Sequence, residues 1–155
     1  MANVTVTEEM EFEQNAKMRQ IAERVTRAYP EVFGHIDVSR IAFLYELTGK
    51  PAKYGRNRTA AGVCIKPKSV FRDLLLMHGA EYWYIIAFFG EACEGRSLEW
   101  LQLLMYHELR HIGEDGKLVE HEIEGFLDEF DLAGTRWGYD QDLPDIVRKK
   151  ISLVA

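Results

Sequence analysis

The sequence predicts an α+β domain, because helical periodicity at its start and in its last third brackets a middle section of strand-length apolar runs. Three observations carry this expectation. Residues 8–29 show an amphipathic pattern, three strand-like runs cover 40–47, 60–67 and 81–89, and 97–111 is apolar on almost every helical face. In 8–29 the apolar positions Met10, Ala16, Ile21, Ala22, Val25 and Tyr29 recur every three or four residues, and Pro30 stops the helix. The run 40–47 (RIAFLYEL) reads as a strand, whereas 48–59 (TGKPAKYGRNRT) has Gly, Pro, Asn and no apolar period and reads as a loop. A second strand is expected over 60–67 (AAGVCIKP); 68–79 fits a short helix or an irregular strand. The run 81–89 (EYWYIIAFF), ended by Gly90, has the continuous apolar character of a strand buried on both faces.

Ser97 can cap the next helix, with Glu99 complementing the dipole of its first turn and Gly113 ending it after His111. Its apolar residues surround it, so it should be central. A further helix is expected over 120–132, with Val119, Ile123, Phe126, Leu127 and Phe130 as its buried stripe, and a short terminal one over 143–154. No repeat or long linker divides the chain, so 1–155 is expected to be one domain.

Composition narrows the function classes. A formal charge of -6, from 19 Lys plus Arg against 25 Asp plus Glu, argues against a polycation that coats DNA or an anionic membrane. Cys64 and Cys93 form no CxxC pair, which leaves no disulfide scaffold or four-cysteine zinc site and fits a reducing cytoplasm. The N-terminus lacks the basic and apolar regions of a signal peptide, and the longest apolar run, 82–89, is far short of the ~18 residues of a membrane span. A cytoplasmic protein with no membrane contact is expected.

Against this ordinary background, three of the five histidines fall within 107–121. His107-Glu108-Leu109-Arg110-His111 is an HExxH motif. On a helix, two histidines four residues apart project from one face and can converge on a cation, with Glu108 beside that face as a general base. Neutral imidazole nitrogens suit Zn²⁺, which lowers the pKa of bound water to about 7 and so makes a nucleophile available at neutral pH. A catalytic zinc normally takes a third protein ligand. His121 supplies one in HExxH-x9-H, while Glu120, Glu122 and Glu124 compete as carboxylate ligands. On a regular helix from Leu118 the apolar stripe would face almost opposite to His121, with Glu122 at its edge; an extended 113–120 frees His121 from that phase.

The segment HELRHIGEDGKLVEHEIEGF resembles the zincin-like phage metallopeptidase family, whose members pair HELxHI with a downstream H-[DE]-x-E-x-F. Both parts are present, at 107–112 and 121–126, and the similarity is best over about 38–131, with Glu122 standing where Asp is commoner. The resemblance implies a minimal zincin-like fold, in which a small mixed sheet packs on a buried HExxH helix with one helix before and another after. It also implies zinc held by His107, His111 and His121, and hydrolysis of a peptide or protein substrate with Glu108 as general base. If the protein is phage-encoded, its compartment would be the host cytoplasm.

Other residues carry weaker expectations. Glu124 can accept the free ring N–H of a metal-bound histidine, and Tyr106 and Arg110 could stabilise an oxyanion, although adjacent helix positions point away from the ligand face. Arg136, Trp137 and Tyr139 follow the last helix and could fold over a cleft, with packing the simpler role for Trp137. The run 82–89 could offer an edge strand to an extended peptide, and the two cysteines read as buried apolar residues. Lys50, Lys53, Arg56, Arg58, Lys66, Lys68 and Arg72 fall in a stretch, 50–72, without an acid, whereas 91–145 carries 15 acids against four basic residues. That polarity supports an alternative function, a non-catalytic or inhibitory zincin-fold protein whose basic loop contacts nucleic acid or an acidic host protein.

Overall fold

The structure, a computed structural model, describes residues 4–54, 58–77, 79, 81–121, 125–134, 137–138 and 142–148. In chain order these form β1 (Phe12–Gln14), α1 (Ala16–Ala28), α2 (Pro30–Phe33), β2 (Ile41–Glu46), β3 (Ala52–Tyr54), β4 (Arg58–Ala60), β5 (Gly62–Ile65), α3 (Ser69–Met77), β6 (Tyr84–Phe89), α4 (Gly90–Cys93), α5 (Leu98–Leu109) and α6 (Leu127–Ala133), with a 3₁₀ turn at Val38–Arg40. The expected α+β class is observed. Contacts group the chain into two compact units, Met1–Ala16 with Asp37–Glu94 and Lys17–Ile36 with Gly95–Ala155.

The first unit holds a four-stranded mixed sheet of order β1-β2-β6-β5, in which β2 and β6 are parallel and the other pairs antiparallel. The apolar run predicted to be a two-faced strand becomes β6, with Ile86, Ala87, Phe88 and Phe89 buried. Because β6 is paired along both sides, it is not an edge strand, which corrects the expectation that 82–89 could add to a peptide. At its end the chain turns sharply at Gly90, where a Cβ would lie 2.6 Å from the Glu46 carbonyl oxygen.

Two sequence expectations fail in this unit. The predicted loop 48–59 contains β3 and most of β4, which pair Ala52 with Ala60 and Lys53 with Thr59. These alanines are buried with Met10 and Phe89, so side-chain packing forms a hairpin that β-propensity did not signal. The N-terminal helix begins only at Ala16; before it, β1 pairs with β2 and Met10 joins the same cluster. The Glu46 carboxylate secures this edge by accepting the backbone N–H groups of Glu11, Thr48 and Gly49. The undecided segment 68–79 contains the helix α3, which leaves Val70, Phe71, Leu74, Leu76 and Met77 exposed.

In the second unit, α1 buries Ile21, Ala22 and Val25 of the expected face together with Met18, which the expected stripe did not include, while Ala16, which it did, is exposed. Pro30 both ends that helix and opens α2, since its fixed φ and missing N–H suit a first helical position. Tyr29 and Phe33 then stack edge-on against Tyr106 of α5, with ring centroids 5.5 and 4.9 Å apart. As its all-round apolar sequence predicts, α5 is buried without interruption from Trp100 to Tyr106, and the Ser97 hydroxyl caps it by accepting the Trp100 N–H.

The boundaries of the last helices differ from expectation. α5 stops at Leu109, ahead of Gly113, but a tightened turn carries the chain on: Arg110 N–H still reaches Tyr106 O, and His111 N–H reaches Glu108 O. Residues 113–121 are non-helical, with Ile112 bridging Leu118. α6 begins at Leu127, seven residues later than the predicted 120, because the Glu129 carboxylate caps it by accepting the Phe126 N–H at 2.8 Å. Near the C-terminus 146–148 are helical, and the rest of the terminal helix expected over 143–154 lies mostly outside the described residues.

Candidate metal centre

The second unit brings His107, His111 and His121 to one point. Two come from the end of α5 and its continuing turn, one helical revolution apart. The third is delivered by the extended loop, which returns to α5 through the Val119 N–H to His111 carbonyl bond at 2.6 Å. His121 is therefore not on a helix, and its imidazole is free of the wheel phase that disfavoured it. Its Nε2 lies 2.8 Å from Nε2 of His107 and 3.0 Å from Nε2 of His111. Among the described residues these three form the group able to hold a metal ion.

The outer ring atoms determine which nitrogen faces inward. His107 Nδ1 donates to the Glu129 carboxylate, 2.9 Å from Oε1 and 3.1 Å from Oε2, and His111 Nδ1 donates to the Val119 carbonyl at 2.7 Å. Both partners only accept, so each Nδ1 carries the proton, and whenever the ring is neutral its Nε2 presents a lone pair. Lone pairs facing one another at such distances need a proton or a cation between them. Imidazole is a donor suited to borderline divalent metals, and a tetrahedral site at Zn–N distances of 2.0–2.1 Å would separate the nitrogens by about 3.3 Å, a few tenths of an ångström more than in the two pairs made by His121. The donor set fits a metal with little rearrangement.

The electrostatics of the two helix-borne rings differ. Burial pushes the His111 pKa down to about 4 against the opposing Val119 hydrogen bond, with the neighbouring His107, His121 and Arg110 charges adding to the lowering, so this ring is neutral at pH 7. For His107 burial acts the same way, but the Glu129 hydrogen bond and the charges of Glu108 and Glu129 prevail and hold its pKa above the ordinary value. Glu108 is 3% exposed, and its Oε2 has no hydrogen-bond partner among the described residues. Burial pushes its pKa up to about 7, against the pull of His107 and with the help of Glu129. A buried carboxyl oxygen without a partner costs stability unless something polar comes to it.

The flanking residues face elsewhere. Tyr106 donates its hydroxyl proton to Asp128 at 2.6 Å, and Arg110 Nε pairs with the same carboxylate at 2.8 Å, so both tie α5 to α6. This clamp agrees with the reading that positions 106 and 110 point away from the imidazole face, which disfavoured an oxyanion role for either residue. Trp137 stands with its ring 6.0 Å from Trp100 and 6.4 Å from His107, packed yet beside the cluster. Phe126 supplies an apolar floor, 5.1 to 5.7 Å from all three imidazoles. Glu122, Glu124, Arg136 and Tyr139 lie outside the described residues.

The partner of the His107 ring is Glu129, a residue the sequence reading overlooked in favour of Glu124. Its signal along the chain is faint: Glu129 falls just outside the apolar stripe that contains Phe126 and Phe130, where a solvated acid is equally expected. In the first unit, Lys50 pairs with Glu9, Arg72 lies 5.7 Å from the Trp83 ring and Lys66 5.9 Å from Tyr84. Lys53, Arg58 and Lys68 are exposed, and Arg56 lies outside the described residues.

Comparison with known proteins agrees with this geometry. The sequence model of one protein family, "Putative phage metallopeptidase", matches residues 10–150. The chain belongs to this phage metallopeptidase family. Its mixed sheet and helices are compatible with a minimal zincin-like fold, and both the family and the imidazole cluster indicate a metal ion. No curated protein and no solved structure matches the chain. Among the described residues, no helix is long and apolar enough to cross a membrane.

Proposed function

We propose that this member of the phage metallopeptidase family is a zinc-dependent peptidase, with His107, His111 and His121 as ligands and Glu108 as general base. The observation that carries it is the convergence of three Nε2 atoms on the helix that also bears a buried carboxyl group whose Oε2 has no hydrogen-bond partner among the described residues. Bound zinc would supply Lewis-acid polarisation of the scissile carbonyl and a water acidified to a pKa of about 7.

The chain's own groups do the rest. Glu108, with a pKa near 7, is matched to proton transfer at neutral pH: its orphaned oxygen accepts the proton of the attacking water and returns it to the leaving amine nitrogen. The low polarity that raises its pKa comes from its burial on α5, so the residue is a strong enough base when ionised yet an acid when protonated. Trp137 and Phe126 give the surroundings an apolar character, suited to a substrate side chain that is apolar beside the cleaved bond.

Elemental analysis of the purified protein is expected to give about one zinc per chain, and a peptide library should be cleaved. Glu108→Gln should keep the zinc and lose cleavage by two or more orders of magnitude, in line with the ~10²–10⁴-fold contribution of a general base. Undiminished cleavage by Glu108→Gln, or zinc retained by a His107→Ala, His111→Ala double variant, would overturn the assignment.

A further inference from the structure

Three imidazoles converge only if each ring is held in one orientation. His111 is held by main chain, through its Nδ1–H bond to the Val119 carbonyl. His107 is held by a side chain outside both recognised motif segments, Glu129 of α6. This carboxylate is fully buried and has two duties. Its oxygens accept the His107 Nδ1–H, and Oε1 also accepts the Phe126 N–H at 2.8 Å, the bond that starts α6.

A third residue makes this possible. A Cβ on Gly125 would lie 2.1 Å from Glu129 Oε1 and 2.7 Å from the Phe130 ring, so a side chain there would displace the carboxylate. Asp128, one residue away, faces Tyr106 and Arg110 and leaves the imidazoles to Glu129. Burying a carboxylate is costly unless its lone pairs are satisfied, and here the satisfaction comes from one ring N–H and one helix-start N–H together. Neither partner can leave without weakening the other.

We propose that Glu129 is the positioning residue of the metal centre and that it couples the first turn of α6 to metal binding, a role that rests on His107, His111 and His121 being the ligands. It acts through His107, fixing the ring's tautomer and aim, and does not touch the metal. Occupancy of the site therefore tightens the start of α6, and disturbance of that start loosens the site.

Zinc affinity of the full chain, measured by competition with a chromophoric chelator, tests this together with amide exchange at 126–130 with and without zinc. Glu129→Gln, which keeps an acceptor for the Phe126 N–H, is expected to weaken zinc about 10- to 100-fold, as loss of a ligand's outer partner does. Zinc should slow exchange at 126–130 in the wild type and much less in Glu129→Gln. Gly125→Ala should weaken zinc in the same direction with every ligand and charge retained, and it decides the matter if Glu129→Gln does not fold. Asp128→Asn, which loosens the clamp to Tyr106 and Arg110 but leaves the partner of His107 in place, should weaken zinc much less than Glu129→Gln. Equal affinity in Glu129→Gln and wild type, or an equal loss in Asp128→Asn, overturns the positioning role alone. A wild-type protein that takes up no zinc overturns the metal assignment and this role with it.

Discussion

Replacing Glu108 by Gln should change the pH dependence of stability in the metal-free protein, and the structure sets the size of the change. Burial raises the folded-state pKa of Glu108 from 4.5 to about 7. A group whose folded pKa is raised binds its proton more tightly when folded, so its favourable contribution is complete below pH 4.5 and is lost as pH rises towards 7. At about 1.36 kcal/mol per pH unit, the full loss is about 3 kcal/mol, most of which falls between pH 5 and pH 8.5. Glutamine is isosteric with the protonated acid and does not titrate. Any fixed difference between amide and acid cancels when the two pH values are compared.

Thermal unfolding of both proteins in chelator, at pH 5 and at pH 8.5, measures the effect. A change of 1 kcal/mol moves Tm by about 2–4 °C in a chain of this size, so Glu108→Gln should gain about 5–10 °C on wild type between the two pH values. A gap that stays constant from pH 5 to pH 8.5 would refute the burial of a titrating carboxyl on α5 whose Oε2 has no hydrogen-bond partner among the described residues. A gap that changes in the opposite direction would mean that Glu108 is stabilised as the anion, as a hydrogen-bonded or ion-paired carboxylate would be.

Two further substitutions test how the second unit is held. Ser97→Ala removes the hydroxyl that accepts the Trp100 N–H and should cost about 1 kcal/mol in chemical unfolding, with zinc affinity unchanged because the cap lies at the far end of α5 from the imidazoles. Tyr106→Phe removes the donor to Asp128 and should cost about 1.5–3 kcal/mol, the range for a hydrogen bond to a charged group; a loss below about 0.5 kcal/mol would mean that Arg110 alone satisfies that carboxylate.

Much of the chemistry was readable along the chain because the relevant spacing is local. His107 and His111 share a face wherever the segment is helical, and the apolar residues around them guarantee that the helix is buried. The β6 run was legible for a similar reason, since a strand covered on both faces needs no alternation. The hairpin at β3 and β4 escaped notice because its formation depends on Ala52 and Ala60 meeting Met10 and Phe89, residues distant in sequence. The start of α6 was misplaced for a different reason. A helical period can be read through 120–126, but backbone bonds of the returning loop and the Glu129 cap begin the helix at Leu127.

Sequence alone was enough to establish an α+β chain with a buried HExxH helix and a third histidine nearby, because periodicity and motif spacing are properties of neighbouring residues. Which atoms meet was decided by tertiary structure. The choice of His121 for the cluster depends on the loop that returns to His111, and the choice of Glu129 as partner of His107 depends on where α6 starts and on the absence of a side chain at Gly125. The shifted pKa of Glu108 likewise belongs to the fold, since desolvation is the sum of everything packed around a group and has no signature in the residues beside it.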